Sequence, residues 1–387
     1  MKKVLVVMPS LYNGGAERSL VNLLNEFPEN KYKIDVLLFK REGIFLKQLP
    51  KNINVLKTPY DLKKLYGNFK ENGLWIFYKI ISKVISKIFT KNTREERGFR
   101  WKYFYGQRIK KLEGKYDVAI AYISGEVLYY VDEKVNADKK IVWIHNDYNS
   151  AQHPKKYDYK HLKNMSNIVS ISDSCVNILK EEFPEFKDRI VMLENITSSK
   201  VLEEKAKEFY PQEYDKKEYN FLSIGRLHPQ KGFDMAIEAA YLLKQKGIRF
   251  KWFVIGNGEL EDKLRNKIKE KKLENEFILL GIRENPYPYI KNCTLFIQTS
   301  LYEGKSVVLD EAKILNKPIV VTNYPTVKDQ IISDKEGIIT EIDPNLIAEG
   351  ISKILVNKNI YQEIENYLKN HEYGNQEEIK KYIELID

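Results

Sequence analysis

Apolar residues fall along the chain in short continuous runs, separated by stretches in which they recur every three or four positions. A strand covered on both faces of a parallel sheet reads as such a run, and a helix packed on that sheet reads as the longer repeat. The first half offers runs at 4–8, 35–39, 118–122, 140–144, 168–171 and 190–193. Directly after the first, Leu20, Leu23, Leu24 and Phe27 stand at i, i+3, i+4 and i+7, which predicts one buried helix face. Asn13, Gly14 and Gly15 therefore form a tight loop between a strand and a helix, where open α/β sheets hold ligands. The second half repeats the rhythm at 221–224, 252–255, 277–280, 295–298 and 319–321, with helices starting near Phe233, Glu259, Ser306 and Pro344. Between the halves, 197–218 is polar and charged without a strand pattern and reads as a linker. The closing NQEEIKKYIELID predicts a short amphipathic helix with Ile379, Tyr382, Ile383 and Leu385 on its apolar side. The pattern predicts an α/β chain with domains at 1–198 and 199–373 and a terminal helix at 374–387.

Length and composition fit this division. At 387 residues the chain exceeds one ordinary core, and 43% hydrophobic with 30% charged residues describes a soluble globular protein. No run reaches the roughly 18 apolar residues needed to span a bilayer. The apolar start is too short for a signal peptide and Pro9 ends it. Two distant cysteines, Cys175 and Cys293, support no disulfide framework, so a reducing cytoplasm is expected, with association at the inner membrane face in view.

Charge changes the picture in one place. The net charge is +10, and segment 61–116 alone holds 15 Lys/Arg against 5 Asp/Glu, an excess of +10. Such a patch suits phospholipid, a polyprenyl phosphate or nucleic acid. Within it, Lys79, Lys83, Lys87 and Lys91 form one i, i+4 row among Trp75, Phe77, Ile80, Ile81, Val84, Ile85, Ile88 and Phe89. Segment 74–91 reads equally as a basic helix lying in a headgroup layer or as an ordinary helix packed on the sheet with its lysines outward.

Four stretches carry candidate chemistry. In SIGRLHPQKGFD, Arg226 and Lys231 sit on a loop between strand and helix, where a guanidinium fork and an ammonium can meet one phosphate. Two surface cations on a polar loop would look the same. VIGNGEL and NGGAE each lack the third glycine of a dinucleotide fingerprint. His145 ends the run IVWI, where it would hydrogen-bond a sugar hydroxyl or stabilise charge; a lone histidine is also commonly structural. In YEGKSVVLDEA, Glu303 lies in a loop and Glu311 on the helix it opens, with Ser306 as its N-cap. Helical side chains lean toward the N-terminus, which returns Glu311 to the loop. The amides of Gly304, Lys305 and Ser306 with the helix dipole make a seat for an anion. Two carboxylates beside that seat make sense if the ligand carries hydroxyls as well as phosphates.

Taken together, GGAE after the first strand, His145 after IVWI, GRLHPQKG, and the E-x7-E pattern from Glu303 to Glu311 followed by EAKILNKPIVVTN resemble the retaining glycosyltransferases of family 4 over nearly the whole chain. The resemblance implies a GT-B fold, two Rossmann-like doubly wound domains facing across a cleft. It implies that Glu303 holds donor-sugar hydroxyls, Glu311 those of the ribose, and Arg226 and Lys231 the diphosphate. The loop of Gly225, the amides after Glu303 and the glycine Gly15 would admit the donor, His145 would meet its sugar, and Ile282 and Arg283 would lie at the base. The terminal helix would cross back onto the first domain. Lys305 stands where an aromatic or aliphatic residue commonly follows EG, which leaves the sugar open.

The implied reaction is transfer of a hexose or N-acetylhexosamine from a nucleotide-diphosphate sugar, a UDP-sugar first, to a glycan or lipid-linked glycan in polysaccharide assembly. No metal or other cofactor is expected, and nucleic acid is not expected as a partner. A GT-B-type sugar-nucleotide epimerase and a non-enzymatic module binding membrane or nucleic acid through 61–116 stand as alternatives.

Overall fold

The computed structural model describes residues 1–12, 14–28, 30–67, 73 and 75–387, with 200 and 201 described by backbone alone. Asn13 and Leu74, both part of segments read above, lie outside the described residues, as do 68–72 of the basic patch. The chain divides into two compact units. The first is Met1–Tyr12, Ala16–Asn195 and Glu377–Asp387; the second is Ile196–Gln376 with Gly14 and Gly15.

The first unit is built on a parallel sheet of β1 (Lys2–Met8), β2 (Tyr32–Leu38), β3 (Asn54–Val55), β4 (Tyr116–Ala121), β5 (Ala137–Ile144), β6 (Asn167–Ser170) and β7 (Ile190–Met192), in the order β3-β2-β1-β4-β5-β6-β7. The register sets Val4 opposite both Ile34 and Val118, so the first apolar run lies at the centre. Leu20, Leu23, Leu24 and Phe27 are all buried, as their spacing requires. The chain winds outward from β1 through β3, then restarts at β4 on the other side of β1. This reversal opens a crevice at the carboxyl ends of β1 and β4. Tyr122 and His145 follow β4 and β5 at that end.

The closing helix, Ile379–Ile386, belongs to the first unit. Tyr382 and Ile386 are its buried residues, with Tyr382 stacked on Trp143 and donating its hydroxyl to the Glu194 carbonyl at 2.7 Å. Ile379, Ile383 and Leu385 are only half-buried, so the contact is an i, i+4 pair and narrower than the sequence pattern.

The second unit holds β8 (Tyr219–Ile224), β9 (Phe250–Ile255), β10 (Phe277–Gly281), β11 (Leu295–Gln298), β12 (Ile319–Thr322) and β13 (Gly337–Thr340), ordered β10-β9-β8-β11-β12-β13 and all parallel. Its reversal falls between β8 and β11. Strands β3 and β13 were not legible in the sequence, because two residues at an edge and a four-residue GIIT carry too little pattern. The stretch read as a linker is also different. It holds a helix, Ser199–Lys205, and it buries Leu202, Ala206 and Tyr214 in the core of the second unit. The i, i+4 pair Leu202 and Ala206 is hidden among charges, which is why the segment read as solvated.

Candidate functional site

At the reversal of the second sheet, the loops after β8 and β11 are zipped together. Thr299 Oγ1 donates to the Lys231 carbonyl at 2.8 Å, the Leu301 amide to the Gln230 carbonyl at 2.8 Å, and Gln230 Nε2 to the Tyr302 carbonyl at 2.9 Å. Gly232 makes this approach possible: it has φ +61°, and a Cβ there would stand 2.1 Å from the Thr299 carbonyl oxygen. Gly256 does the same for the loop after β9, where at φ +149° a Cβ would meet the Gly225 oxygen at 1.9 Å. Both conformations favour glycine and both distances forbid a side chain.

This zipper brings Lys231 and Glu303 together. The ammonium lies 2.5 Å from Glu303 Oε1, with the two side chains only 17% and 9% exposed. Ser300 Oγ donates to the same oxygen at 2.7 Å and Gln230 Nε2 to Oε2 at 3.1 Å. A carboxylate offers about four lone-pair positions, so three are filled and one, on Oε2, is left among the described residues. Lys231 likewise keeps two of its three N–H bonds. Its stem lies across Gly225, where a Cβ would stand 3.1 Å from Cε. Arg226, one residue on, is exposed, and its guanidinium has no hydrogen-bond or ion-pair partner among the described residues.

The YEGKSVVLDEA stretch departs from its sequence reading at Ser306. The residue does occupy the cap position of helix Val307–Ile314, but its hydroxyl donates to Gln298 Oε1 at 2.6 Å and caps nothing. Its amide is also taken, donating to Gln330 Oε1 at 2.9 Å, while Gln330 Nε2 donates to the Ser306 carbonyl at 2.6 Å. The buried amide side chains of Gln298 and Gln330 need partners, and Ser306 supplies them. Its amide is therefore not available to an anion, while the amides of Gly304 and Val307 have no acceptor among the described residues. Gly304 is buried and Lys305 half-buried. Glu311 is fully buried, with the Tyr287 hydroxyl donating to it at 3.4 Å.

Arg283 is committed elsewhere. Its Nη1 donates to the Leu280 carbonyl at 2.6 Å and to that of Ile282 at 3.3 Å, Nε donates to the Tyr289 hydroxyl at 3.1 Å, and Nη2 pairs with Glu213 at 3.2 Å. Burial alone would raise the Glu213 carboxyl, yet hydrogen bonds from its own amide, Arg283 and Tyr289 hold it below its ordinary value. Arg283 thus braces the half-buried Ile282 loop with its whole fork.

In the first unit, His145 is buried and its Nε2–H donates to the Tyr122 carbonyl at 2.9 Å. Burial depresses its pKa to about 4, so the ring is neutral at pH 7. In that state the histidine offers an acceptor lone pair rather than a charge. That atom, Nδ1, is buried without a hydrogen-bond partner among the described residues. Gly15 opens helix Gly15–Glu26, and a Cβ there would meet nothing within 4 Å, so the protein's own packing does not require glycine. A separate cavity of about 460 Å³, lined by Trp101, Tyr129, Tyr157, Lys160 and His161 among others, contains none of these residues.

Sequence reasoning missed Gln230, Ser300, Thr326 and Gln330. Gln230 lies inside HPQKG, between the two cations, whereas Ser300 falls just outside, between the 295–298 run and YEGKSVVLDEA. Thr326, donating to the Glu303 carbonyl at 2.9 Å, and Gln330 come from beyond β12 and left no local signal.

Two parallel-sheet Rossmann-like units with these loops define the GT-B class. The fold matches the crystal structure of HepE from Anabaena in complex with UDP-glucose, at a TM-score of 0.70 and 16% identity, covering 100% of this chain and 99% of that one. Residues 204–371 match the model of the family of glycosyl transferases group 1. An uncharacterised glycosyltransferase of Methanocaldococcus jannaschii is 27% identical over 218 residues, 54% of each chain. The Campylobacter jejuni N-acetylgalactosamine-N,N'-diacetylbacillosaminyl-diphospho-undecaprenol 4-alpha-N-acetylgalactosaminyltransferase is 33% identical over 150 residues, 38% of this chain and 40% of the relative. The alignments span about half the length of these relatives or less.

Proposed function

We propose that the protein is a retaining glycosyltransferase that moves a hexose or N-acetylhexosamine from a UDP-sugar to a hydroxyl of a lipid-linked glycan. The observation that carries this reading is the Lys231–Glu303 pair on zipped loops at the sheet reversal, with the unpartnered Arg226 beside it. Arg226 and the two remaining N–H bonds of Lys231 take the diphosphate, and the amides of Gly304 and Val307 extend that seat. The open lone pair on Glu303 Oε2 accepts one sugar hydroxyl. Glu311 takes the ribose, Ile282 lies at the base, Gly15 lets the donor approach, and His145 Nδ1 accepts a second sugar hydroxyl.

Negative charge grows on the departing diphosphate, and fixed cations and amides stabilise it with no reorganisation during the reaction. That stabilisation needs no metal ion. The acceptor hydroxyl enters from the face the diphosphate leaves, within an ion pair, and configuration is retained. The UDP-glucose in the Anabaena structure and the diphospho-undecaprenol in the name of the Campylobacter relative support the choice of donor and acceptor class.

The test is incubation with a panel of UDP-sugars and polyprenyl-diphosphate-linked glycans, read by mass spectrometry and by NMR of the new anomeric centre. A glycan one sugar heavier with an α-linkage from an α-donor is expected. A new UDP-sugar formed without acceptor would mean an epimerase instead, and a β-linked product would overturn retention.

A further inference from the structure

Helix Trp75–Phe89 is inside out. Its buried residues are Ser82 and Ser86, while Phe77, Ile80, Ile81, Val84, Ile88 and Phe89 are exposed by between 51% and 71%. At 100° per residue, Phe77, Ile81, Val84 and Ile88 share one stripe, with Ser82 and Ser86 on the far side and Tyr78 between. Two bonds to the rest of the protein fix the inner face: the Tyr78 hydroxyl donates to the Phe104 carbonyl at 2.9 Å and the Ser82 hydroxyl to the Tyr105 hydroxyl at 3.3 Å. The Ser82 and Ser86 hydroxyls also donate to the Lys79 and Lys83 carbonyls of the same helix, each at 2.9 Å. Rotating the helix to hide its apolar stripe would bury lysines and break the two bonds to Phe104 and Tyr105. A contiguous exposed apolar stripe of this kind marks an interaction surface.

The charges beside the stripe say what covers it. Lys83, Lys87 and Lys91 are exposed along one flank and form no ion pair among the described residues, and helix Trp75–Phe89 contains no acidic residue. Beyond its end, the rings of Phe89, Phe99 and Tyr103 follow one another at 5.7 and 4.6 Å, with the Lys102 ammonium over Tyr103. An apolar stripe, a lysine flank and an aromatic rim match the layers of a bilayer surface: acyl chains, anionic headgroups and the interface between them. A second copy of the same helix would bring lysines and no countercharge. No helix among the described residues is long and apolar enough to cross a membrane, so the contact is one of lying on it.

We propose that helix Trp75–Phe89 seats the protein on an anionic phospholipid bilayer, with Phe77, Ile81, Val84 and Ile88 in the acyl boundary and Lys83, Lys87 and Lys91 among the headgroups. This goes beyond the transferase reading and stands whether or not that reading holds.

The test is flotation of the full chain with vesicles of phosphatidylcholine alone or mixed with phosphatidylglycerol. Binding is expected to the mixed vesicles, weakening as salt rises. Ile81→Glu with Ile88→Glu should lower affinity at least about tenfold, and Lys83→Ser with Lys87→Ser about fivefold per lysine. Val356→Glu, at an 81% exposed position of the other unit, should leave binding unchanged. Melting curves show that each variant is folded. Equal affinity of folded Ile81→Glu/Ile88→Glu, or no preference of the wild type for mixed vesicles, overturns the proposal. So does a concentration-dependent dimer that the same substitutions abolish in a chain that binds no vesicle, which would assign the stripe to a second copy.

Discussion

Lys231 and Glu303, 72 residues apart in sequence, meet at 2.5 Å between the loops that follow β8 and β11. The contact joins two groups that the sequence placed on different parts of a ligand, the ammonium on phosphate and the carboxylate on sugar. In the structure each orients the other. Lys231→Ala leaves a buried carboxylate short of its cation, so it should destabilise the fold by roughly 2 kcal/mol, and adding Glu303→Gln should recover part of that loss. Urea denaturation of the two single variants and the double gives the coupling. Turnover should fall about 100-fold or more in both variants that lack Lys231, since recovery of the fold does not restore the charge that the departing diphosphate needs, and comparably in Glu303→Gln, which loses the carboxylate that holds the sugar and orients Lys231.

Arg226 separates stability from binding more cleanly. Its guanidinium is exposed and has no partner among the described residues, so Arg226→Ala should change stability by no more than about 0.5 kcal/mol. Its affinity for a nucleoside diphosphate should nevertheless drop by about tenfold or more, as expected for loss of a charge-assisted bond. Thermal melting and calorimetric titration on one preparation check both halves.

The neutral state of His145 has a pH signature. Its folded pKa of about 4 lies below the ordinary 6.5, so between these values the unfolded chain holds a proton that the native one refuses. Stability is lost as pH falls from about 6.5 to about 4, by roughly 2–3 kcal/mol for this fully buried group. His145→Gln should show a correspondingly shallower loss between pH 7 and 4.5 in denaturant titrations. No ionisation of His145 should enter the rate profile between pH 6 and 8.

Gly232→Ala should cost roughly 1–3 kcal/mol from the left-handed backbone alone, before the clash with Thr299 is counted. Because that clash pushes the two loops apart, turnover should fall further than stability predicts. Comparison of melting temperature with kcat in the same variant measures the difference.

The parallel sheets were legible because their central strands are continuous apolar runs, and the cations, the E-x7-E spacing and His145 were legible because each sits at the end of such a run. What the sequence hid is cross-chain. Gln330 takes the Ser306 amide from 24 residues away, and Glu213 takes Arg283 from 70. Neither partner has a local pattern, so the sequence showed neither that the Ser306 hydroxyl caps nothing nor that the Arg283 guanidinium braces its own loop. For the basic helix the sequence left two readings open, because its pattern does not say which face is buried; in the structure its serines rather than its isoleucines face the protein.

The seat for a diphosphate on the β8 and β11 loops is tested most directly by calorimetric titration of UDP, GDP and ADP into the wild type and Arg226→Ala. One of the three, UDP first, should bind one-to-one to the wild type without added metal, and about tenfold or more weaker to the folded variant. Equal affinity for both proteins, or no binding of any diphosphate to the wild type, would contradict the account.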